Sequence, residues 1–171
     1  MDRLANLVGV FSLTVADRVA PDVPGRTLAG SSTAAALVTL SAHPGHGVGW
    51  VANVLGLTSS GATRLVERLL ADGSVRHGES GDARSRSLYL TERGRLRAEE
   101  ALSRRAAEIE RSLDCLSDSD RATLERLLST VVAALADDRP TALRVCRLCD
   151  RDACGEQAGR CPLEHTVPTG A

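Results

Sequence analysis

Four cysteines and a histidine crowd the last part of the chain: Cys146, Cys149, Cys154, Cys161 and His165, spaced C-x2-C-x4-C-x6-C-x3-H. Four thiolates can close a tetrahedral zinc site. The first pair has knuckle spacing, and the later gaps are wider than in the usual knuckle. Four cysteines hold an iron–sulfur cluster equally well. The surrounding residues offer little apolar material for a core of their own, so a cross-link is expected to order them. The expected centre is therefore a metal held by the four cysteines, with His165 as a spare ligand. A zinc ion ranks ahead of an iron–sulfur cluster, and both rank ahead of disulfides or free thiols.

A second set of residues has the chemistry of DNA contact. Ser60, Thr63, Arg64, Glu67 and Arg68 share one face of a segment that Ser59 opens, and Ala62, Leu65, Val66, Leu69 and Leu70 make its other face. The apolar set recurs at the spacing of a helix with one buried stripe. Hydroxyls reach phosphates or base edges, and a guanidinium bonds a guanine edge bidentately. Ser59, Ser60, Thr63, Arg64 and Arg68 are thus candidate DNA ligands.

The elements that position them are marked in the sequence. Thr58 or Ser59 is suited to cap the first turn, and Gly73 to the left-handed residue that ends the helix. Upstream, Val48, Val51, Ala52 and Leu55 form a shorter helical stripe closed by Gly56-Leu57. A helix, a short turn with glycine and a second helix make a helix-turn-helix. Downstream, residues 74–77 and 87–90 predict two strands. The charged loop between them is too long for a minimal turn, which suggests that its tip contacts something.

The run from Val48 to Gly94 resembles the winged helix-turn-helix of the MarR family (multiple antibiotic resistance regulators). The matching pieces are Val51-Ala52-Asn53-Val54-Leu55-Gly56-Leu57, then Ser60 to Leu69, then Asp82-Ala83-Arg84-Ser85-Arg86, then Leu90-Thr91-Glu92-Arg93-Gly94. They cover about a third of the chain, and the order of flanking helices extends the likeness to roughly residues 1–140. The resemblance implies that Arg84 and Arg86 in the wing enter the minor groove or grip phosphates beside it. Asp82 would hold an arginine in place. Trp50 would face outward, against DNA backbone or a ligand cavity, with half-buried packing as the alternative. The cysteine tail is not part of the common family pattern.

Flanking helices follow from periodicity. Leu4, Leu7, Val8, Phe11, Val15 and Val19 predict an amino-terminal helix ended by Pro21, Pro24 and Gly25. Ser31-Ser32-Thr33 predict the start of another, over 34–42, and His43 and His46 sit in a Pro/Gly loop where solvated side chains are expected. From Thr91, Leu96 to Leu116 mark a long helix, and Ser117 to Asp120 look like the capped start of one that runs to Asp137. The resemblance implies that the terminal helices join in a homodimer. A two-fold dimer sets its recognition helices ~34–36 Å apart and calls for a near-palindromic operator. Cys115, between two helices, is expected to be a small core residue.

Composition bounds the rest. A chain of 171 residues makes one domain with a special tail. Phe11, Trp50 and Tyr89 are its only aromatic Phe, Trp and Tyr residues, so Leu, Val and Ala must build the core. Net charge is −1, but residues 46–97 hold eight arginines (64, 68, 76, 84, 86, 93, 95, 97) against five acids (67, 72, 79, 82, 92), a local balance that favours phosphate. No apolar run is long enough for a membrane span, and the first residues lack a secretory pattern, so a cytoplasmic protein with reduced thiols is expected.

The expected fold is mainly α with a small β-hairpin wing (α+β). Residues 1–30 form an amino-terminal dimerisation helix, 31–94 the winged helix-turn-helix, 95–140 the carboxy-terminal dimerisation helices and 141–171 the metal-binding tail. The expected function is a homodimeric, sequence-specific DNA-binding transcription regulator, a repressor, answering a small ligand or the metal or redox state of the cysteines. The alternative is a non-DNA-binding interaction module with a metal knuckle. No nucleophile–base pair or phosphate loop supports an enzyme.

Overall fold

The computed structural model describes residues 2–19, 29–78 and 87–167. In chain order the elements are α1 (Arg3–Val19), α2 (Ala29–Ala42), α3 (Val48–Leu55), α4 (Ser59–Ala71), β1 (Val75–His77), β2 (Leu88–Leu90), α5 (Glu92–Leu113), α6 (Asp118–Ala133), α7 (Arg139–Val145) and α8 (Arg151–Cys154). Two short 3-10 turns, Glu156–Ala158 and Glu164–Thr166, complete the tail. The fold is mainly helical with one antiparallel hairpin, Val75 facing Leu90 and His77 facing Leu88. Among the described residues no helix is long and apolar enough to cross a membrane.

The main core lies between α2, α3, α4, α5 and the hairpin. Leu37, Leu40, Val51, Leu65, Leu69 and Leu88 are its largest fully buried members. Its buried members are all aliphatic, as the scarcity of aromatics requires, with Trp50 half-buried against them. The loop after α2 extends the hairpin: Gly45 N–H donates to the Leu88 carbonyl (2.9 Å) and Leu88 N–H to that of His46 (3.0 Å).

The caps form as the side chains dictate. Thr58 accepts from Gly61 N–H at the start of α4, Thr91 from Gly94 N–H at the start of α5, and Ser117 from Asp120 N–H at the start of α6. Gly73, at φ +70°, follows the last turn of α4 in the left-handed region. α2 begins at Ala29, earlier than its Ser/Thr run suggests, and α5 ends at Leu113, before Leu116.

α1 runs against α5, and no residue of α1 is buried. Leu4, Leu7, Val8, Val10, Phe11 and Leu13 all stand exposed on it. On α6, Leu127, Leu128 and Val131 are likewise exposed. Cys115, expected in a core, is exposed at the junction of α5 and α6, because Asp114-Cys115-Leu116 is a turn and not a packed helical face.

The tail departs from expectation in one respect. It has a small apolar core: Leu163, Ala142 and Ala136 are buried, with Val132, Val145, Cys146 and Cys161 packed against them. Contributions from the end of α6 supply what the cysteine stretch by itself lacks. α7 then packs on α3, so the tail returns to the helix-turn-helix.

Candidate nucleic-acid interface and cysteine centre

α4 presents its polar face outward. Ala62, Leu65, Val66 and Leu69 are buried, while Ser59, Ser60, Thr63, Arg64 and Arg68 are all exposed. Among the described residues neither the Arg64 nor the Arg68 guanidinium has an ion pair or hydrogen bond. Two hydroxyls are partly committed: Thr63 donates to the Ser59 carbonyl (2.9 Å), and Ser60 lies 3.4 Å from the capping Thr58 hydroxyl. Each can still accept or, after rotation, donate outward. Asp82, Arg84 and Arg86, the expected wing residues, lie outside the described residues.

The far end of α4 is held by residues that spacing alone does not disclose. Arg97 on α5 bonds Asp72 and Ser74. Thr91 Oγ1 donates to the Gly73 carbonyl at 2.6 Å, and Thr91 N–H to that of Ser74 at 3.0 Å. Gly94 is needed here: a Cβ on it would lie 2.0 Å from the Ser74 carbonyl oxygen. The Thr-x-x-Gly of the sequence thus caps one helix and clamps the end of another.

His43 and His46 are not solvated loop residues. His46 stacks on Trp50 with ring centroids 3.9 Å apart, and His43 meets the same indole edge-on at 5.5 Å. Trp50 itself is half-buried against the main core. Burial, then the charges of Arg151 and Arg139, push the His43 imidazole down to about 4, so it is neutral at pH 7 and accepts from Arg151.

The structure brings the four tail cysteines together. Cys146, Cys149, Cys154 and Cys161 lie near enough to shift one another's ionisation, and the Cys149 thiol donates to the Asp150 carbonyl at 3.4 Å. All four line one cavity of about 10 Å³, with Arg139, Arg151 and Glu156 also in its wall. That is room for one water-sized occupant. The neighbouring Cys149 thiol holds the Cys146 thiol below its usual range. Cys146 in turn drives Cys149 far upward, and burial pushes Cys154 up to about 12. Without a cation, thiols this crowded resist ionising together.

Among the described residues no group of three or more His, Cys, Asp or Glu side chains is placed so that it could hold a metal ion as the side chains stand, and the four tail cysteines are free thiols. His165 lies apart from the cavity wall. Its Nε2 is 3.0 Å from the Ala136 carbonyl oxygen and its Nδ1 3.2 Å from that of Pro162, a place that pins the tail to the end of α6.

Sequence reasoning overlooked the residues that dock this tail. Arg144 Nε donates to the Asn53 carbonyl, 2.8 Å away at the end of α3, and Thr39 Oγ1 donates to the Arg147 carbonyl at 3.2 Å. Leu148 packs into the main core. The arginine-rich composition of the tail was the available signal, and it named no partner.

The sequence matches no protein-family model and no curated protein. Solved structures do match the fold. The YusO protein from Bacillus subtilis aligns with TM-score 0.64 and 18% identity over 77% of this chain and 93% of that one. The MarR family protein Rv2887 of Mycobacterium tuberculosis, in complex with DNA, aligns with TM-score 0.61 and 23% identity over 77% of this chain and 98% of that one. The same protein in complex with salicylic acid gives 0.59 and 23%, over 77% and 97%.

Proposed function

We propose that this chain, whose fold is that of the MarR-family winged helix, is a homodimeric, sequence-specific DNA-binding transcription regulator. It acts as a repressor whose affinity for DNA answers to a zinc ion held by Cys146, Cys149, Cys154 and Cys161. One observation carries the reading: α4 sets Arg64 and Arg68, unpaired among the described residues, on an exposed face over a fully buried back. Rv2887, solved with DNA, supports the same use of the fold here. Its complex with salicylic acid supports a small acid as a second kind of effector.

The exposed apolar faces of α1 and α6 support a second copy of the chain as the partner. Two copies related by a two-fold axis would present their α4 helices to successive turns of a near-palindromic operator, ~34–36 Å apart.

Zinc is ranked ahead of an iron–sulfur cluster because the first cysteine pair has knuckle spacing. A tetrathiolate zinc centre carries a net charge of about −2, and Arg139 and Arg151 in the wall offset it. Zinc when bound would replace the thiol protons and cross-link the tail; the four cysteines would turn from one another toward the ion.

Fluorescence anisotropy with a duplex selected from a random pool by the full-length chain tests the DNA reading. Arg64→Ala and Arg68→Ala should each cost ~1–3 kcal/mol of binding where they contact bases, with unchanged circular dichroism. Unchanged affinity in the double variant would overturn it and favour an interaction module that does not use DNA.

A further inference from the structure

We infer that the metal-bound tail is a strut on α3, with Arg144 as its positioning residue, so that zinc stiffens the helix-turn-helix from behind. The inference rests on the zinc reading above and adds the route by which the ion reaches the DNA-binding helices.

The route consists of contacts already present. α3 precedes α4 by a short turn and packs against it, so the pose of α4 depends on α3. Asn53 belongs to the last turn of α3, where carbonyls lack helical partners; among the described residues its oxygen has only a long 3.4 Å bond from Gly56 N–H besides Arg144. A guanidinium at this position satisfies that oxygen and faces the negative end of the helix. Thr39, 4% exposed on α2, holds the Arg147 carbonyl. Arg151 joins His43 through Nη2 and both oxygens of Glu156 through Nη1, at 2.6 Å.

These docking groups alternate with the cysteines along the chain. Cys146 and Cys149 enclose Arg147 and Leu148 in one turn, closed by Cys149 N–H to the Cys146 carbonyl at 2.9 Å. Arg151 stands between Cys149 and Cys154. Joining the thiols through one ion therefore fixes the backbone that carries Arg147, Leu148 and Arg151, and anchors the end of α7 two residues after Arg144. At the other end His165 ties the tail to Ala136, just beyond α6. The strut thus spans from the helix with the exposed apolar face to the helix behind the DNA-reading one.

Hydrogen–deuterium exchange of the full-length chain, with Zn(II) or with a chelator, tests this, alongside zinc content and affinity for the selected duplex. In the parent chain zinc should slow exchange of the α3 amides about tenfold or more. Arg144→Ala should keep its zinc yet lose that protection and the zinc dependence of DNA affinity, and Arg144→Lys should restore both in part. Zinc retained with α3 exchange unchanged overturns the strut and leaves the zinc reading standing. A parent chain that retains no zinc removes both. Should Arg144→Ala lose zinc, Thr39→Val decides: zinc held with α3 protection reduced supports the strut, and full protection overturns it.

Discussion

Arg97 Nη1 donates at 2.6 Å to the Asp72 carboxylate and at 2.6 Å to the Ser74 hydroxyl, fastening the end of α4 to α5 across the base of the wing. Burial would raise the Asp72 carboxyl. Hydrogen bonds from Ser74 and Arg97 outweigh it and hold the group below its usual value near 3.8. The unfolded chain therefore takes up this proton first as pH falls. The stability this pair supplies is present above that value and is lost through the lowered one. Both side chains are 35% exposed, so the contribution at pH 7 is about 1 kcal/mol or less after screening. Urea unfolding of the parent and Asp72→Asn should show a gap at pH 7 that narrows as the pH falls below about 3.8 and through the lowered value. A gap that persists at the lower pH would rule out the carboxylate as its source.

Gly94→Ala should be among the most damaging single changes outside the core. The added methyl would lie 2.0 Å from the Ser74 carbonyl oxygen, a backbone atom pinned by Thr91. Separation of α5 from the end of α4 should cost roughly 2 kcal/mol or more. Thr91→Val, which removes the cap and the bond to Gly73, should cost about 1 kcal/mol. Chemical denaturation measures both, and a neutral Gly94→Ala would mean that the clamp gives way freely.

The exposed apolar faces call for a second copy. Leu127→Arg together with Val131→Arg on α6, or Phe11→Glu on α1, should turn a dimer into a monomer in sedimentation equilibrium and weaken DNA binding, because each half-site would then be held alone. A parent chain that sediments as a monomer at micromolar concentration would count against the dimer.

Metal analysis separates the two chemistries of the cysteines. The anaerobically purified chain should be colourless, with about one zinc per chain. Cys149→Ser with Cys154→Ser should abolish retention, and His165→Ala should keep it, since that ring lies against the carbonyls of Ala136 and Pro162. A brown protein with iron and sulfide would replace zinc by a cluster. Loss of zinc in His165→Ala would show that the ring swings in to ligate.

Much of the helix-turn-helix was legible because its signals are local. Thr58, the stripe from Ala62 to Leu69 and Gly73 lie within about four turns of one another, and helical spacing converts their order into a face and two ends. The two short strands of the hairpin were legible on either side of the Arg-rich loop, which lies outside the described residues, and the clustering of the four cysteines followed from their closeness in sequence. Cys115 and His43 were misjudged for the opposite reason. Neither its exposure nor its ring partners can be read from neighbours in the chain.

By itself, then, the sequence determined a mainly helical winged fold, the polar face of α4 and a tail rich in thiols, all set by residue type and short-range spacing. Tertiary structure alone decided where that tail sits. Arg144 meets Asn53 across 91 positions, and Thr39 meets Arg147 across 108. Such contacts depend on how α7 returns over α3, which no periodicity encodes, because a backbone carbonyl accepts from any donor that packing brings to it.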